Sequence, residues 1–394
     1  MSLATANEDV AGRAVRGASS EAVTIVAHDL GSVGGMERQL AELVLGLRRE
    51  GRPVSVIART CVLPEEAGVV FHRVRGPKRP FLLAYPWFLL AGSLAVRKRR
   101  RGVVQATGAI VLNRVDVVAI HCCHRAYRAQ PGRPTLSFRA YGAVVGWLKR
   151  WGERLCLRAN RPASVVCVSE GVAEEVRSNY PAVSERVLTI YNGVDTRVFG
   201  PGVRSVEARR LRATLDIAAE RPVVAFVGGD WEHKRLRLAI EAISNAPNWN
   251  LVVAGLGHVH SYRELAQSLG VAGSVHWLGV VCDIQVVYEM ADAFLLPSSY
   301  ETFSLVTFEA AASALPILAT PVNGVRELIR DGENGFLIEP DARFIARRLE
   351  QLAADPALAK RLGEAARHAA LGFRWEEMVS RHDELYARLA GRHG

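Results

Sequence analysis

Three ionisable residues in the second half of the chain have the types and spacing to grip a phosphorylated sugar. Glu301 and Glu309 stand eight residues apart in PSSYETFSLVTFEA (residues 297–310), where an apolar strand (Ala293–Leu296) runs through a polar loop into a helix expected to begin near Phe303. The free N–H groups of Phe303, Ser304 and Leu305 at such a helix start form a ready phosphate site. A carboxylate beside a phosphate is repelled unless it serves another group, and accepting hydrogen bonds from sugar hydroxyls is such a role. The plainer alternative has Glu301 complementing the helix dipole and Glu309 as a surface charge. Lys234 closes FVGGDWEHK (226–234), directly after another apolar strand (Pro222–Val227). Open parallel sheets bind ligands at the carboxyl ends of their strands, which is where this lysine falls. Alone it is a solvated side chain; beside a phosphate-ready helix it becomes a pyrophosphate clamp.

The first half carries Ile120-His121-Cys122-Cys123-His124 at the end of a strand whose tip faces the cleft between two such domains. Successive residues on extended backbone point to opposite faces, so four adjacent side chains cannot converge on one tetrahedral ion, and no metal is expected. His121, and second to it His124, stand as cleft candidates against the alternative of structural histidines. The six cysteines lack a framework spacing and read as reduced thiols. A dinucleotide enzyme is disfavoured. Gly31-x-x-Gly34-Gly35 is not G-x-G-x-x-G, Gly255-x-Gly257 has His260 where the third glycine belongs, and no acid stands at a ribose position beyond the first loop.

These residues need a scaffold, and apolar runs alternating with helical periodicity supply one, the signature of parallel α/β units. Val23–Ala27, Val54–Ala58, Gly102–Gln105, Val117–Ile120, Val165–Val168 and Val187–Ile190 read as strands of a first domain. Leu40, Leu43, Val44 and Leu47 make one apolar helix face after the Gly31–Gly35 loop. Pro222–Val227, Leu251–Ala254, Val275–Leu278, Ala293–Leu296 and Pro316–Ala319 supply a second sheet, with an amphipathic helix at Trp375–Leu389. The expected organisation is a flexible tail at 1–20, an acceptor-side domain at 21–200, a ligand-binding domain at 201–372, and a C-terminal helix at 373–394 packing back on the first domain.

A chain of 394 residues suits two domains, and 49% hydrophobic with 23% charged residues is a globular balance. The first twenty residues have no apolar run that could serve as an export signal, so the cytoplasm is the default address. Charge is uneven: of a net +10, the span Arg73–Arg161 holds nineteen Lys or Arg against Asp116 and Glu153. Within it, FLLAYPWFLLAGSLAV (81–96) precedes Arg97-Lys98-Arg99-Arg100-Arg101. Sixteen residues with Pro86 inside are short of the roughly twenty that span a bilayer. Two readings stay open: an anionic membrane surface meeting the basic 73–161 region, or a buried helix with a solvated basic end. Nucleic acid is not expected, since no binding motif accompanies the charge.

Taken together, the motifs carry a family likeness. The Gly34-Gly35 loop, VSEGV (168–172), YNGVD (191–195), FVGG…HK, VAGLG (253–257), ADAFLLPS (291–298), the Glu301/Glu309 pair and DGENGF (331–336) occur in an order that resembles the retaining glycosyltransferases of family 4. The resemblance implies the GT-B fold, two Rossmann-like domains facing across a deep cleft. It also implies metal-independent transfer of a hexosyl group from a nucleoside diphosphate sugar, a UDP-sugar or GDP-mannose foremost, with no further cofactor. The acceptor would be a hydroxyl of a glycan, lipid-linked or of lipopolysaccharide type, met on the inner face of the membrane. By that likeness Glu301 approaches the donor sugar, Glu309 holds the ribose and Lys234 neutralises the pyrophosphate. The amides of Phe303, Ser304 and Leu305, and of Gly34 and Gly35, close on the phosphates, and His121 contacts the donor sugar or polarises the reacting centre. Asn192 and Gly229 are further cleft candidates. Two positions depart from the pattern: Gly229 stands where the family often has Arg, and Ser304 where glycine is usual. Other readings on the same architecture are a sugar-nucleotide epimerase, a glycosyl phosphorylase, or a non-catalytic membrane-associated sugar-nucleotide-binding protein.

Overall fold

The computed structural model describes residues 21–31, 34–127, 136–158, 162–201 and 205–391. The N-terminal tail, two residues of the glycine loop, and stretches 128–135 and 159–161 of the basic region lie outside the described residues. The first domain contributes β1 (Val23–Val26), β2 (Asp29–Leu30), β3 (Val54–Ala58), β4 (Thr60–Cys61), β5 (Val70–Arg73), β6 (Val103–Thr107), β7 (Val117–Ile120), β8 (Ser164–Cys167) and β9 (Val187–Thr189). Its helices are α1 (Gly35–Arg49), α2 (Phe81–Arg99), α3 (Leu136–Cys156) and α4 (Glu170–Asn179). The main sheet runs β5-β3-β1-β6-β7-β8-β9 with every described pairing parallel. Residues of β1, β3, β6, β7 and β8 are buried throughout, because helices cover both faces of a parallel sheet.

The second domain has β10 (Val223–Val227), β11 (Asn250–Ala254), β12 (Val275–Gly279), β13 (Ala293–Leu296), β14 (Ile317–Ala319) and β15 (Phe336–Leu337). They pair in parallel in the order β12-β11-β10-β13-β14-β15. Around them lie α5 (Val206–Thr214), α6 (Leu236–Ser244), α7 (Val259–Ser268), α8 (Gln285–Met290), α9 (Leu305–Ala312), α10 (Val325–Leu328), α11 (Ala342–Ala354) and α12 (Pro356–Ala370). Both sheets start at a central strand, wind outward, then reverse. The reversal leaves a crevice at the carboxyl ends: β1 beside β6 in one domain, β10 beside β13 in the other. The loops after β10 and β13 carry Lys234 and Glu301, so topology makes them neighbours across 67 residues.

α13 (Trp375–Ala390) returns to the first domain. Its Val379 seats over Gly46 of α1, where a Cβ would stand 2.3 Å from the valine methyl, so only glycine admits the contact. Tyr386 donates its hydroxyl to Gln105 Oε1 at 2.8 Å, and buried Arg52 pairs with Asp383. The chain thus crosses between domains twice, and the segments of the two crossings meet where Val194 pairs with Arg374.

α2 divides the 81–96 run between core and solvent. Ala84, Tyr85, Phe88, Leu89, Gly92 and Val96 are buried against the sheet, while Leu83, Trp87, Leu90 and Leu94 face solvent. No described helix is long and apolar enough to cross a membrane.

Candidate functional site

Lys234 is shaped by a glycine. Gly228 leaves β10 at φ +134°, and a Cβ there would lie 2.4 Å from Lys234 Cε, so the lysine stem runs through the space a side chain would fill. Its Nζ donates to Glu301 Oε1 at 2.7 Å, and Ser298 Oγ donates to the same oxygen at 2.8 Å. Each charged side chain keeps about 15% of its surface open, so both face the cleft rather than the core. Gly229 contributes no cation and has open space beside it, its nearest neighbour being Leu256 O at 3.6 Å from a built Cβ.

The helix expected from Phe303 begins two residues later. Phe303 is buried with its ring stacked on Phe308, centroids 4.1 Å apart, and Ser304 takes a left-handed conformation, φ 70° and ψ 62°, as the cap of α9. Thr307 N donates to Ser304 O at 2.9 Å, so the open amides at this helix start lie ahead of Thr307, from Phe303 to Val306. That backbone explains why glycine suits position 304. The serine hydroxyl turns to the Thr307 hydroxyl, 2.8 Å away, inside the helix's first turn rather than toward a phosphate.

Glu309 is buried, not a surface charge. Arg38 Nη1 donates to its Oε1 at 2.6 Å and the Tyr288 hydroxyl to its Oε2 at 2.9 Å. Burial raises this carboxyl above its ordinary range, and Arg38 is the strongest opposing influence. Arg38 comes from the other domain, one turn into α1 after Gly34 (φ 96°) and Gly35, and its guanidinium also lies over the Phe199 ring. A Cβ at Gly35 would touch Leu305 Cδ1 at 3.6 Å, so the glycine loop abuts the start of α9. Sequence reasoning missed Arg38, Tyr288 and Ser298. For Arg38 the one available signal was its place on the helix turn that follows two glycines.

On the first-domain side, His121 Nε2 lies 3.1 Å from Gln39 Oε1, an acceptor, which assigns the proton to Nε2. Its Nδ1 is buried with no protein partner. Burial, with His382 nearby, lowers His121 to about 4, so the ring is neutral near pH 7. His124 is likewise lowered to about 4 by burial and by Lys149 and Arg150. Both line a cavity of about 250 Å³. Cys122 turns to Tyr300 OH at 3.8 Å, its thiol pushed up to about 11 by burial, whereas Cys123 is wholly buried. Among the described residues no group of three His, Cys, Asp or Glu could hold a metal.

Carboxylates bridge the cleft. Glu175 accepts from Tyr300 OH at 3.0 Å and from Asn323 Nδ2 at 2.8 Å. Glu327 of α10 accepts the N–H groups of Glu170 and Gly171, capping α4 from the opposite domain. Tyr127 bonds His233 through its hydroxyl. Asn192 is not among these groups; it is buried at the crossover, beside Gly372, Phe373 and Arg374.

Residues 33–198 match the family described as Glycosyltransferase Family 4, and residues 207–369 match Glycosyl transferases group 1. The chain is 30% identical to alpha-maltose-1-phosphate synthase of Mycolicibacterium smegmatis over 284 residues, 67% of this chain and 72% of the relative. Among solved structures, WaaG, a glycosyltransferase involved in lipopolysaccharide biosynthesis, superposes with TM-score 0.75 at 20% identity, covering 91% of this chain and 98% of WaaG. Anabaena HepE in complex with UDP-glucose does so with TM-score 0.71 at 19% identity, covering 92% and 98%.

Proposed function

The chain belongs to the glycosyl transferases group 1 family with the GT-B fold, and from that premise we propose that it moves a hexosyl group from a nucleoside diphosphate sugar to an acceptor hydroxyl with retention at the anomeric carbon. The observation that carries this reading is the Lys234–Glu301 ion pair set beside the N-terminus of α9. A cation, a carboxylate and free amides within one crevice match the three parts of a sugar diphosphate. Lys234 and the amides of Phe303, Ser304 and Leu305 take the pyrophosphate, Glu301 takes sugar hydroxyls, and Glu309 takes the ribose. As the sugar C1–phosphate bond breaks, charge grows on the leaving diphosphate, where these donors stabilise it. The acceptor oxygen bonds C1 from the same face, and its proton passes to the leaving phosphate oxygen, so no separate base is assigned. His121 lies at the first-domain side of this path, neutral and with Nδ1 free to accept from the sugar.

Arg38 fills the gap left by Gly229. When a ribose claims Glu309, the displaced guanidinium has the reach of a flexible side chain at the cleft edge and becomes the second pyrophosphate cation. HepE in complex with UDP-glucose supports a UDP-sugar as first candidate, with GDP-mannose second. A lipid-linked or lipopolysaccharide-type acceptor is supported by WaaG's involvement in lipopolysaccharide biosynthesis and by the solvent-facing Leu83, Trp87, Leu90 and Leu94 of α2. Trp147 and Trp151 of α3 are also exposed, and Arg97–Arg101 follow the apolar face, a pairing that suits an anionic membrane.

Stabilisation by a panel of UDP, GDP, ADP and their sugar conjugates tests the reading. A ligand at a hundred times its Kd adds about 2.7 kcal/mol. One nucleotide should raise the melting temperature of the protein but not of Glu309→Ala, and Glu301→Ala should stay folded while losing turnover by about a hundredfold or more. Near-normal turnover by Glu301→Ala would sink the assignment. Nucleotide released without acceptor would favour an epimerase or hydrolytic reaction, and no binding at all a non-catalytic protein.

A further inference from the structure

Glycosyl transfer needs an acceptor site beside the donor, so a role for the first-domain cavities in holding an acceptor rests on the transferase function proposed for the cleft. Two adjoining cavities of that domain share His28, Phe81 and Tyr85 as walls. The inner one reaches His121; the outer, about 730 Å³, opens between Arg59, Lys78 and Arg79. Their charges are unevenly met. Arg59 is paired with Asp29, whose other oxygen accepts from Thr60, although the Arg59 Nε is buried without a partner. Lys78 and Arg79 are exposed and make no ion pair among the described residues. Lys149 lines the inner cavity and sits 5.2 Å over the Phe81 ring. The one carboxylate of that cavity, Glu153, is already engaged by the N–H groups of His124 and Arg125 and the Tyr180 hydroxyl. His28 between the two is neutral, lowered to about 4 by burial and by Arg59, and its buried Nδ1 has no partner.

Uncompensated cations along one groove repel each other until an anion joins them, and a phosphate can be met by a point charge and a guanidinium fork together. Phe81 and Tyr85, stacked at 5.2 Å, supply a flat apolar wall between the cations and His121. We propose that this groove binds an acceptor carrying a phosphate group, with the phosphate held by Lys78 and Arg79, the intervening ring or chain on Phe81 and Tyr85, and the accepting hydroxyl at His121. Sugar phosphates in solution and phosphate-bearing lipids offer the same chemistry, and the groove opens beside the exposed face of α2.

Two binding assays on the full chain, both without nucleotide, separate these sources: calorimetry with glucose 1-phosphate, and co-sedimentation with phosphatidylcholine vesicles with and without phosphatidylglycerol. The variants are Lys78→Gln/Arg79→Gln, Lys234→Gln at the donor site, and Arg99→Gln/Arg100→Gln, which removes equal charge outside the groove. Loss of one charge-assisted contact weakens binding about tenfold. Glucose 1-phosphate binding that falls about tenfold or more in Lys78→Gln/Arg79→Gln, which removes both contacts, but not in Lys234→Gln supports the groove with a soluble acceptor. Binding of anionic vesicles alone, weakened more by Lys78→Gln/Arg79→Gln than by Arg99→Gln/Arg100→Gln, supports it with a lipid one. The proposal is overturned if sugar phosphate binding is lost in Lys234→Gln instead, if both double variants weaken vesicle binding equally, or if neither probe binds. Since nucleotide is absent, failure of the donor assignment leaves these outcomes intact.

Discussion

Arg38→Ala removes a contact that joins residues 271 apart in sequence and on opposite walls of the cleft. Glu309 keeps 6% of its side-chain surface exposed and Arg38 29%, so this pair is neither a surface bridge worth little nor a fully desolvated one. A hydrogen bond to a charged group contributes about 1.5–3 kcal/mol, and partial access of water to Arg38 favours the lower half, about 2 kcal/mol. Tyr288 remains to bind Glu309 after the change, but the carboxyl, already raised by burial, rises further when its main compensating charge is gone. The assay is a double-mutant cycle, Arg38→Ala with Glu309→Gln, read by urea unfolding. Coupling near 2 kcal/mol is expected; additivity within about 0.5 kcal/mol would refute the energetic role. The same variant tests the proposed movement of Arg38. Affinity for UDP should fall about tenfold, one charge-assisted contact, while uridine binds as well or better because its ribose no longer competes for Glu309. Equal losses for both ligands would refute the movement.

Gly228→Ala should place a methyl where Lys234 Cε runs, on backbone at φ +134°, and cost on the order of 1–3 kcal/mol while weakening nucleotide binding; calorimetric affinity equal to that of the parent protein would count against the packing argument. His28, His121, His124 and His382 are each lowered to about 4 from 6.5, chiefly by burial. Between those values the unfolded chain binds the extra proton, so their stabilisation is fully present above pH 6.5 and is lost as pH falls toward 4. Each ring contributes up to about 3 kcal/mol. His28→Gln should flatten the unfolding midpoint between pH 7 and 5; an unchanged slope would show that burial is not what lowers this ring. Leu90→Asp/Leu94→Asp lies on solvent-facing positions and should leave melting unchanged while reducing flotation with anionic vesicles; undiminished flotation at low salt would remove α2 from the membrane reading.

Strand positions and the two-domain order are local matters, and the apolar runs alone marked β3, β7 and β13 to the residue. A buried parallel strand must be apolar on both faces, so its sequence is distinctive wherever it lies. β5 escaped notice because it is an edge strand with Val70 and Phe71 exposed, and two-residue β15 is too short for any period to register. The glycine loops, the spacing of Glu301 and Glu309 and the lysine after β10 were likewise readable, since each depends on residue type at a fixed place. What surrounds them was not. Whether α2 is core or surface depended on which face meets the sheet, and it proved to be both. The start of α9 was settled by packing of Phe303 under Phe308, which left Ser304 to turn the chain. The partners of Glu309, the capping of α4 by Glu327 and the joining of two cavities at His28 all arise between segments distant in sequence. Charge and burial of such groups are set by what the fold brings against them, a property that no window of sequence contains.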